Sequence, residues 1–232
     1  GLNEAPESVG PVGISFSYEK GKGYYVPFPE SQEEAHILIE KFRPFFENED
    51  IEKIGQNLKY DLKILSNYGI TVKGKLFDTM IAHYLINPDM RHNMDILAET
   101  YLKYSPKSIE TLIGKKGKNQ LTMRDVPLED IKEYAAEDAD VTLQLKAVTD
   151  KMLKDVESED LACNLEFPLI HVLTEMEWEG INLDVDFLKD YSKTLTDELF
   201  GIRDNIYRLS GVEFNIDSPR QLGDILFEHL KI

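Results

Sequence analysis

A single cysteine, Cys163, stands in 232 residues, so the chain can form no internal disulfide. That fits a reducing compartment, and its place in an apolar-periodic stretch predicts a small packed side chain. Long hydrophobic runs are missing too. No stretch approaches the roughly 20 apolar residues of a membrane span. The opening Gly1-Leu2-Asn3-Glu4-Ala5-Pro6 has neither the basic nor the apolar region of a secretion signal. The expectation is a cytoplasmic protein with no membrane partner. Positive charge is scarce, with 26 Lys and Arg against 43 Asp and Glu and a formal net charge of −17. A surface built to hold phosphates normally needs the reverse. One basic cluster, Lys115, Lys116, Lys118 and Arg124, runs against the trend. His83, His92 and His171 show no zinc spacing, and repeats and low-complexity tracts are absent.

What is present reads as α/β. Residues 12–18 alternate apolar with small or polar side chains, Gly21-Lys22-Gly23 makes a turn, and residues 24–28 return as a hairpin partner. Ser31 with Glu34 three residues on predicts a capped helix running to about Phe46. Residues 51–55 form a short strand, and Asn57-Leu58-Lys59-Tyr60-Asp61 follows it directly. That places the segment at a sheet's carboxyl end, where open α/β sheets put their sites. Residues 77–87 and 93–104 read as helices, 105–127 as loop-rich, and Leu128 opens a long helix carrying Ile131, Ala135, Val141, Leu145 and Val148 at helical spacing. From 161 onward the patterns are helical only (161–178, 185–209 and 218–230), with Trp178 on an apolar stripe expected in the core. The division is an α/β domain over 1–160 and an all-helical segment over 161–232.

Two segments carry chemistry: Asn57 to Asp61 and Tyr134-Ala135-Ala136-Glu137-Asp138. Each sets an aspartate four residues after an amide or a phenol, on one helical face. If both are helical and converge, two carboxylates share one site, an arrangement suited to divalent-metal hydrolysis of phosphodiesters. Asp61 and Asp138 are the metal-ligand candidates, with Mg²⁺ or Mn²⁺ favoured by oxygen donors. Tyr134 would orient the attacking water and Asn57 would contact a terminal nucleotide. The bland alternative is that an alanine-rich acidic helix is a solvated face.

Gly55-Gln56-Asn57-Leu58-Lys59-Tyr60-Asp61 and Tyr134-Ala135-Ala136-Glu137-Asp138-Ala139-Asp140-Val141-Thr142 resemble two motifs of the proofreading 3′–5′ exonuclease domain of family A DNA polymerases, the bacterial polymerase I family. Phe77-Asp78-Thr79-Met80, Arg91-His92-Asn93-Met94-Asp95 and Gly117-Lys118-Asn119-Gln120-Leu121-Thr122 extend the match. Phe214-Asn215-Ile216-Asp217-Ser218-Pro219-Arg220-Gln221-Leu222 resembles the thumb-side start of the polymerase domain. The resemblance implies a ribonuclease H-like fold, a mixed sheet flanked by helices. It also implies catalytic Asp61, Tyr134 and Asp138, and substrate contacts by Leu2, Gln56, Asn57, Tyr60 and Arg91. Partners would be a single-stranded DNA 3′ end and the remaining polymerase domain, in a monomer. A base-packing position falls at Ile109.

One family motif, Asp-X-Glu, lies just ahead of a segment like Gly1-Leu2-Asn3. Without those two acids the expectation is weak metal binding and little cleavage by the chain as given, with a two-metal site in the intact protein. Rival expectations are a non-catalytic scaffold domain and a stand-alone ribonuclease D-like exonuclease.

Overall fold

The structure, a computed structural model, describes residues 11–232 and the backbone of 2–4. Leu2's side chain, expected at the substrate, lies outside the described residues. The hairpin forms as its sequence dictates. β2 (Pro11–Glu19) and β3 (Lys22–Pro27) pair antiparallel across Gly21, whose φ of +81° needs no Cβ. β1 (Leu2–Glu4) adds to β2's other edge, antiparallel, with Leu2 opposite Ile14. A second sheet pairs β4 (Lys53–Gly55) parallel with β5 (Leu76–Asp78). Antiparallel and parallel pairing thus both occur, divided between two sheets among the described residues.

The expected first helix is two. α1 (Gln32–Glu40) is capped by the Ser31 hydroxyl accepting from Glu34 N, and α2 (Arg43–Phe46) starts afresh. Pro44 has no N–H to return to Glu40 and so cannot continue the first helix. The segment 77–87 also differs, because β5 ends at Asp78 and α4 (Thr79–Ile86) begins only there. Two buried apolar residues, Leu76 and Phe77, do not show by periodicity whether they are strand or helix. α3 (Leu58–Ser66) follows β4, α5 (Met94–Leu97) runs into a π-turn over Ala98–Leu102, and α6 (Glu110–Ile113) is a single turn.

α7 (Leu128–Asp155) is the longest helix and lies against the hairpin. Its approach is close: a Cβ built on Gly23 would sit 2.2 Å from the Ala136 carbonyl oxygen. Glycine on the strand and the small pair Ala135-Ala136 on the helix permit that contact. α8 (Glu159–Leu161) leads through a π-turn, Ala162–Glu166, into α9 (Phe167–Glu179). α9 packs on α3 and β5, and Phe77 meets Phe167 with ring centroids 5.0 Å apart. The main core joins Ile14, Phe28, Ile39, Leu65, Phe77 and Phe167.

Two side chains lie elsewhere than expected. Cys163 is exposed, since the π-turn puts Ala162 inward instead. Trp178 is 54% exposed: α9's buried stripe of Phe167, Ile170 and Thr174 gives way at Glu177 to ion pairs with Lys59 and Lys63.

The chain forms two compact units, Gly1–Glu179 and Gly180–Ile232, so α9 belongs with the α/β portion. The regular elements of the second unit are all helical: α10 (Val185–Ser210), α11 (Pro219–Gly223) and a π-turn, Asp224–His229. Asp184 caps α10 through Phe187 N, and Gly211 ends it at φ +73°. Tyr207 Oη donates to the Phe214 carbonyl at 2.8 Å. No described helix is long and apolar enough to cross a membrane.

Candidate active site

A cavity of about 550 Å³ opens between β2 and β4. Residues 14–18 form one wall and 51–56 the other. Asp61 reaches it from α3, and Asp138, Ala139 and Thr142 from α7. The two aspartates that the spacing singled out therefore share one space.

The acidic stretch of α7 separates into distinct tasks. Glu137 accepts from the Lys107 backbone N at 2.9 Å and from the Tyr104 hydroxyl, docking the 104–107 loop. Asp140 accepts from Gly21 N at 2.7 Å and from Gln144, fixing the hairpin turn. Asp138 is different. Its Oδ1 is buried and has no hydrogen-bond donor among the described residues. Burial pushes its carboxyl up to about 7; the Tyr134 hydrogen bond opposes this, and the negative charges of Asp95 and Glu137 add to it. Leaving such an oxygen bare is costly, and a functional site is where that cost is tolerated. A solvated face does not describe it.

Tyr134, one turn earlier, hydrogen-bonds Asp138. Burial and then the Asp138 charge raise its phenol far above the ordinary range. The group stays protonated at any working pH, so it acts as a donor and not as a proton acceptor.

A bare carboxylate oxygen on a cavity that a second carboxylate also lines suits a divalent cation, and all-oxygen donors favour Mg²⁺ or Mn²⁺. Among the described residues no group of three or more His, Cys, Asp or Glu forms a cation site. The pair is the donor set on view.

At the β4–α3 junction, Gln56 lines the cavity but its amide is engaged. Nε2 donates to the His92 carbonyl at 2.7 Å, and Oε1 meets the Thr79 hydroxyl. The tie brings Gln56 beside the loop that carries Arg91. Asn57 is exposed and left-handed at φ +64°, and it caps α3 with no side-chain bond. Tyr60 is 43% exposed on α3, and Arg91 is exposed. Asn57, Tyr60 and Arg91 do not line the cavity. Ile109 is exposed at the start of α6. In the basic cluster Lys115, Lys116 and Lys118 face solvent, whereas Arg124 is half-buried and donates to the Pro11 carbonyl at 3.0 Å. Arg124 thus anchors β2.

A supporting layer stands behind the site, in which Asp78 reads from the sequence as a structural N-cap and is one. Asp78 and Thr79 tie the two strand–helix junctions together. His83, wholly buried, bonds His92 Nδ1 at 2.7 Å through its own Nδ1 and the Tyr101 hydroxyl at 2.9 Å through Nε2. The strand-to-helix Phe77-Asp78-Thr79 carried a legible signal, an aspartate at an N-cap position. The histidine pair carried none.

The chain also resembles known proteins. A family model described as 3′–5′ exonuclease matches residues 5–157. DNA polymerase I of Borreliella burgdorferi is 38% identical over 224 residues, 95% of this chain and 24% of that protein. DNA polymerase I of Pseudomonas aeruginosa is 35% identical over 229 residues, 94% of this chain and 25% of that protein. The chain thus spans about a quarter of the length of these curated relatives. Among solved structures, the POL domain of Pol1 from M. smegmatis in complex with DNA primer-template and dNTP aligns with a TM-score of 0.73 at 23% identity. That alignment covers 96% of this chain and 35% of the other. Brucella melitensis NrnC bound to pGG gives 0.61 at 22% identity, covering 80% of this chain and 84% of that one. These two likenesses speak to the fold alone. With a family model over most of its length and a carboxylate pair converging from α3 and α7, this chain belongs to the 3′–5′ exonuclease domain family of DNA polymerase I.

Proposed function

We propose that this domain removes 3′-terminal nucleotides from DNA by metal-dependent hydrolysis, proofreading for a polymerase domain in the same protein. Water adds to the terminal phosphorus as the P–O3′ bond breaks. The shortened strand keeps a 3′-hydroxyl and the nucleotide leaves as a 5′-monophosphate. The observation that carries this reading is the buried, donorless Oδ1 of Asp138 on the cavity shared with Asp61.

A bound Mg²⁺ or Mn²⁺ would supply Lewis acidity and lower the pKa of water. Asp61 and Asp138 would hold it, and binding would displace the proton that burial favours on Asp138. Tyr134 keeps its proton and hydrogen-bonds Asp138, so it fixes that carboxylate's rotamer and offers a polar group beside the attacking water. Exposed Tyr60 and Asn57 at the head of α3 suit a single-stranded end held by stacking and polar contacts. With a net charge of −17 the domain would bind DNA weakly without its polymerase domain.

The test uses the full-length protein with a labelled single-stranded oligonucleotide and Mg²⁺ or Mn²⁺. Cleavage from the 3′ end, lost in Asp138→Ala and reduced about 10- to 100-fold in Tyr134→Phe, is expected. A well-folded wild type that leaves both DNA and RNA intact would replace this reading with a scaffold role. Preference for short RNA would favour the ribonuclease D-like alternative.

A further inference from the structure

Asp78 is 1% exposed, belongs to neither catalytic pair, and is surrounded by backbone donors. Its Oδ2 accepts from Leu58 N at 2.7 Å. Its Oδ1 accepts from Met80 N at 2.9 Å and from Asn57 N and Ile81 N at 3.2 Å. Two of these donors open α3 and two open α4. A helix start leaves its first N–H groups without partners, and the residue at the N-cap ordinarily supplies one. Asn57 does not, because its left-handed backbone makes no side-chain cap bond. The cap for α3 therefore comes from a different strand, 20 residues further along the chain. Thr79 completes the tie: its hydroxyl bonds the Gly55 carbonyl at 3.1 Å and meets Gln56 Oε1.

We propose that Asp78 is a positioning residue for the exonuclease site, setting the first turn of α3 so that Asp61 faces Asp138 and Asn57 keeps its left-handed backbone. The inference rests on the reading given under Proposed function. Asp61 lies one turn from the residues Asp78 holds, and a helix advances 100° and 1.5 Å per residue. Loosening that first turn frees the backbone that carries Asp61 at its end. Sites that depend on placement lose rate steeply with displacements near 1 Å. The carboxylate is also the side chain that suits the place, because each oxygen must accept and neither can donate.

Asp78→Asn tests this, because its amide nitrogen cannot accept from the Leu58 or Asn57 N–H. Thr149→Val is the control, a buried hydroxyl on α7 that bonds the Leu145 and Lys146 carbonyls. Three readouts apply: amide hydrogen exchange over 57–61 and Mn²⁺ affinity in this chain, and kcat against KM on an oligonucleotide in the full-length protein. Asp78→Asn should exchange at least about 10-fold faster at Leu58–Asp61 and bind Mn²⁺ about 10-fold more weakly, with kcat falling more than KM rises. Thr149→Val should change none of these at matched folded fraction. Should Asp78→Asn fail to fold, Thr79→Val severs only the Gly55 and Gln56 ties and should show the same pattern at smaller size. If the wild type is active, Asp138→Asn is inactive and the Asp78 or Thr79 variant matches the control, the positioning role is overturned and the exonuclease reading stands. If wild type and Asp138→Asn behave alike in metal binding and cleavage, the exonuclease reading fails and this proposal falls with it.

Discussion

Two aspartates in the same unit, Asp78 wholly buried and Asp138 half-buried with one buried oxygen, are treated in opposite ways. Asp78, at the knot of β4, β5 and two helix starts, has four backbone donors on its two oxygens. Asp138, on α7, has the Tyr134 hydroxyl and an oxygen with no donor among the described residues. Burial pushes both carboxyls upward. For Asp78 the four N–H groups counter that push, and we assign it as the ionised acceptor the geometry requires. Nothing comparable shelters Asp138. The difference separates a carboxylate tied into the fold from one with an oxygen left open, as the proposed metal site requires.

The sharpest way to break the contrast is to neutralise Asp138. Its carboxyl titrates near 7 when folded and near the ordinary value of 3.8 when unfolded, so the unfolded chain releases its proton first. Stability contributed by this group is full below about pH 4, declines as pH rises through 7, and stays lost above. Asp138→Asn has no proton to lose. It should be more stable than wild type at pH 8 by up to about 4 kcal/mol, with near-equality at pH 4, in denaturant titrations at both pH values. Greater stability at pH 8 alongside lost cleavage is the expected pairing.

Asp78→Ala should do the opposite. It strands four N–H groups in the core and should cost about 3 kcal/mol at neutral pH by the same titration. A loss under about 1 kcal/mol would show that water or a neighbour replaces the cap. Gly23→Ala examines the close face of α7. Its Cβ would strike the Ala136 carbonyl, so about 2 kcal/mol should be lost, with exchange at Gly21 N rising as the Asp140 bond opens.

His83 supplies an intermediate case, buried yet bonded at both ring nitrogens when neutral. Burial and then His92 hold its pKa down. The unfolded histidine therefore takes up a proton first, and stability is lost as pH falls below about 6.5, at most about 1.4 kcal/mol per pH unit. His83→Gln should flatten that acid limb, as read from midpoints between pH 7 and 5.

Local chemistry made much of this legible in advance. The hairpin announced itself through alternation and Gly21-Lys22-Gly23, α1 through Ser31 and Glu34, and the site through two aspartates at matched spacing. Other features turned on partners far along the chain. Leu76-Phe77-Asp78 is too short for its period to distinguish strand from helix. Arg124 looked like part of a phosphate-binding cluster until Pro11 proved to be its acceptor. Trp178 sits on an apolar stripe, but the charges of Lys59 and Lys63 opposite end that stripe one turn early. In the stretch 137–140 the sequence shows three acids and no indication that only one lacks a donor.

The separation of these contacts along the chain also orders their assembly. The Asp78 knot closes loops of 20 and 21 residues, whereas the Asp140 bond that seats α7 on the hairpin closes one of 119. Loop entropy makes the longer closure about 1.6 kcal/mol costlier before any contact repays it. The short-range knot can be complete while residues 128–155 are still being synthesised, so Asp61 waits in place and Asp138 is the last member of the pair to arrive.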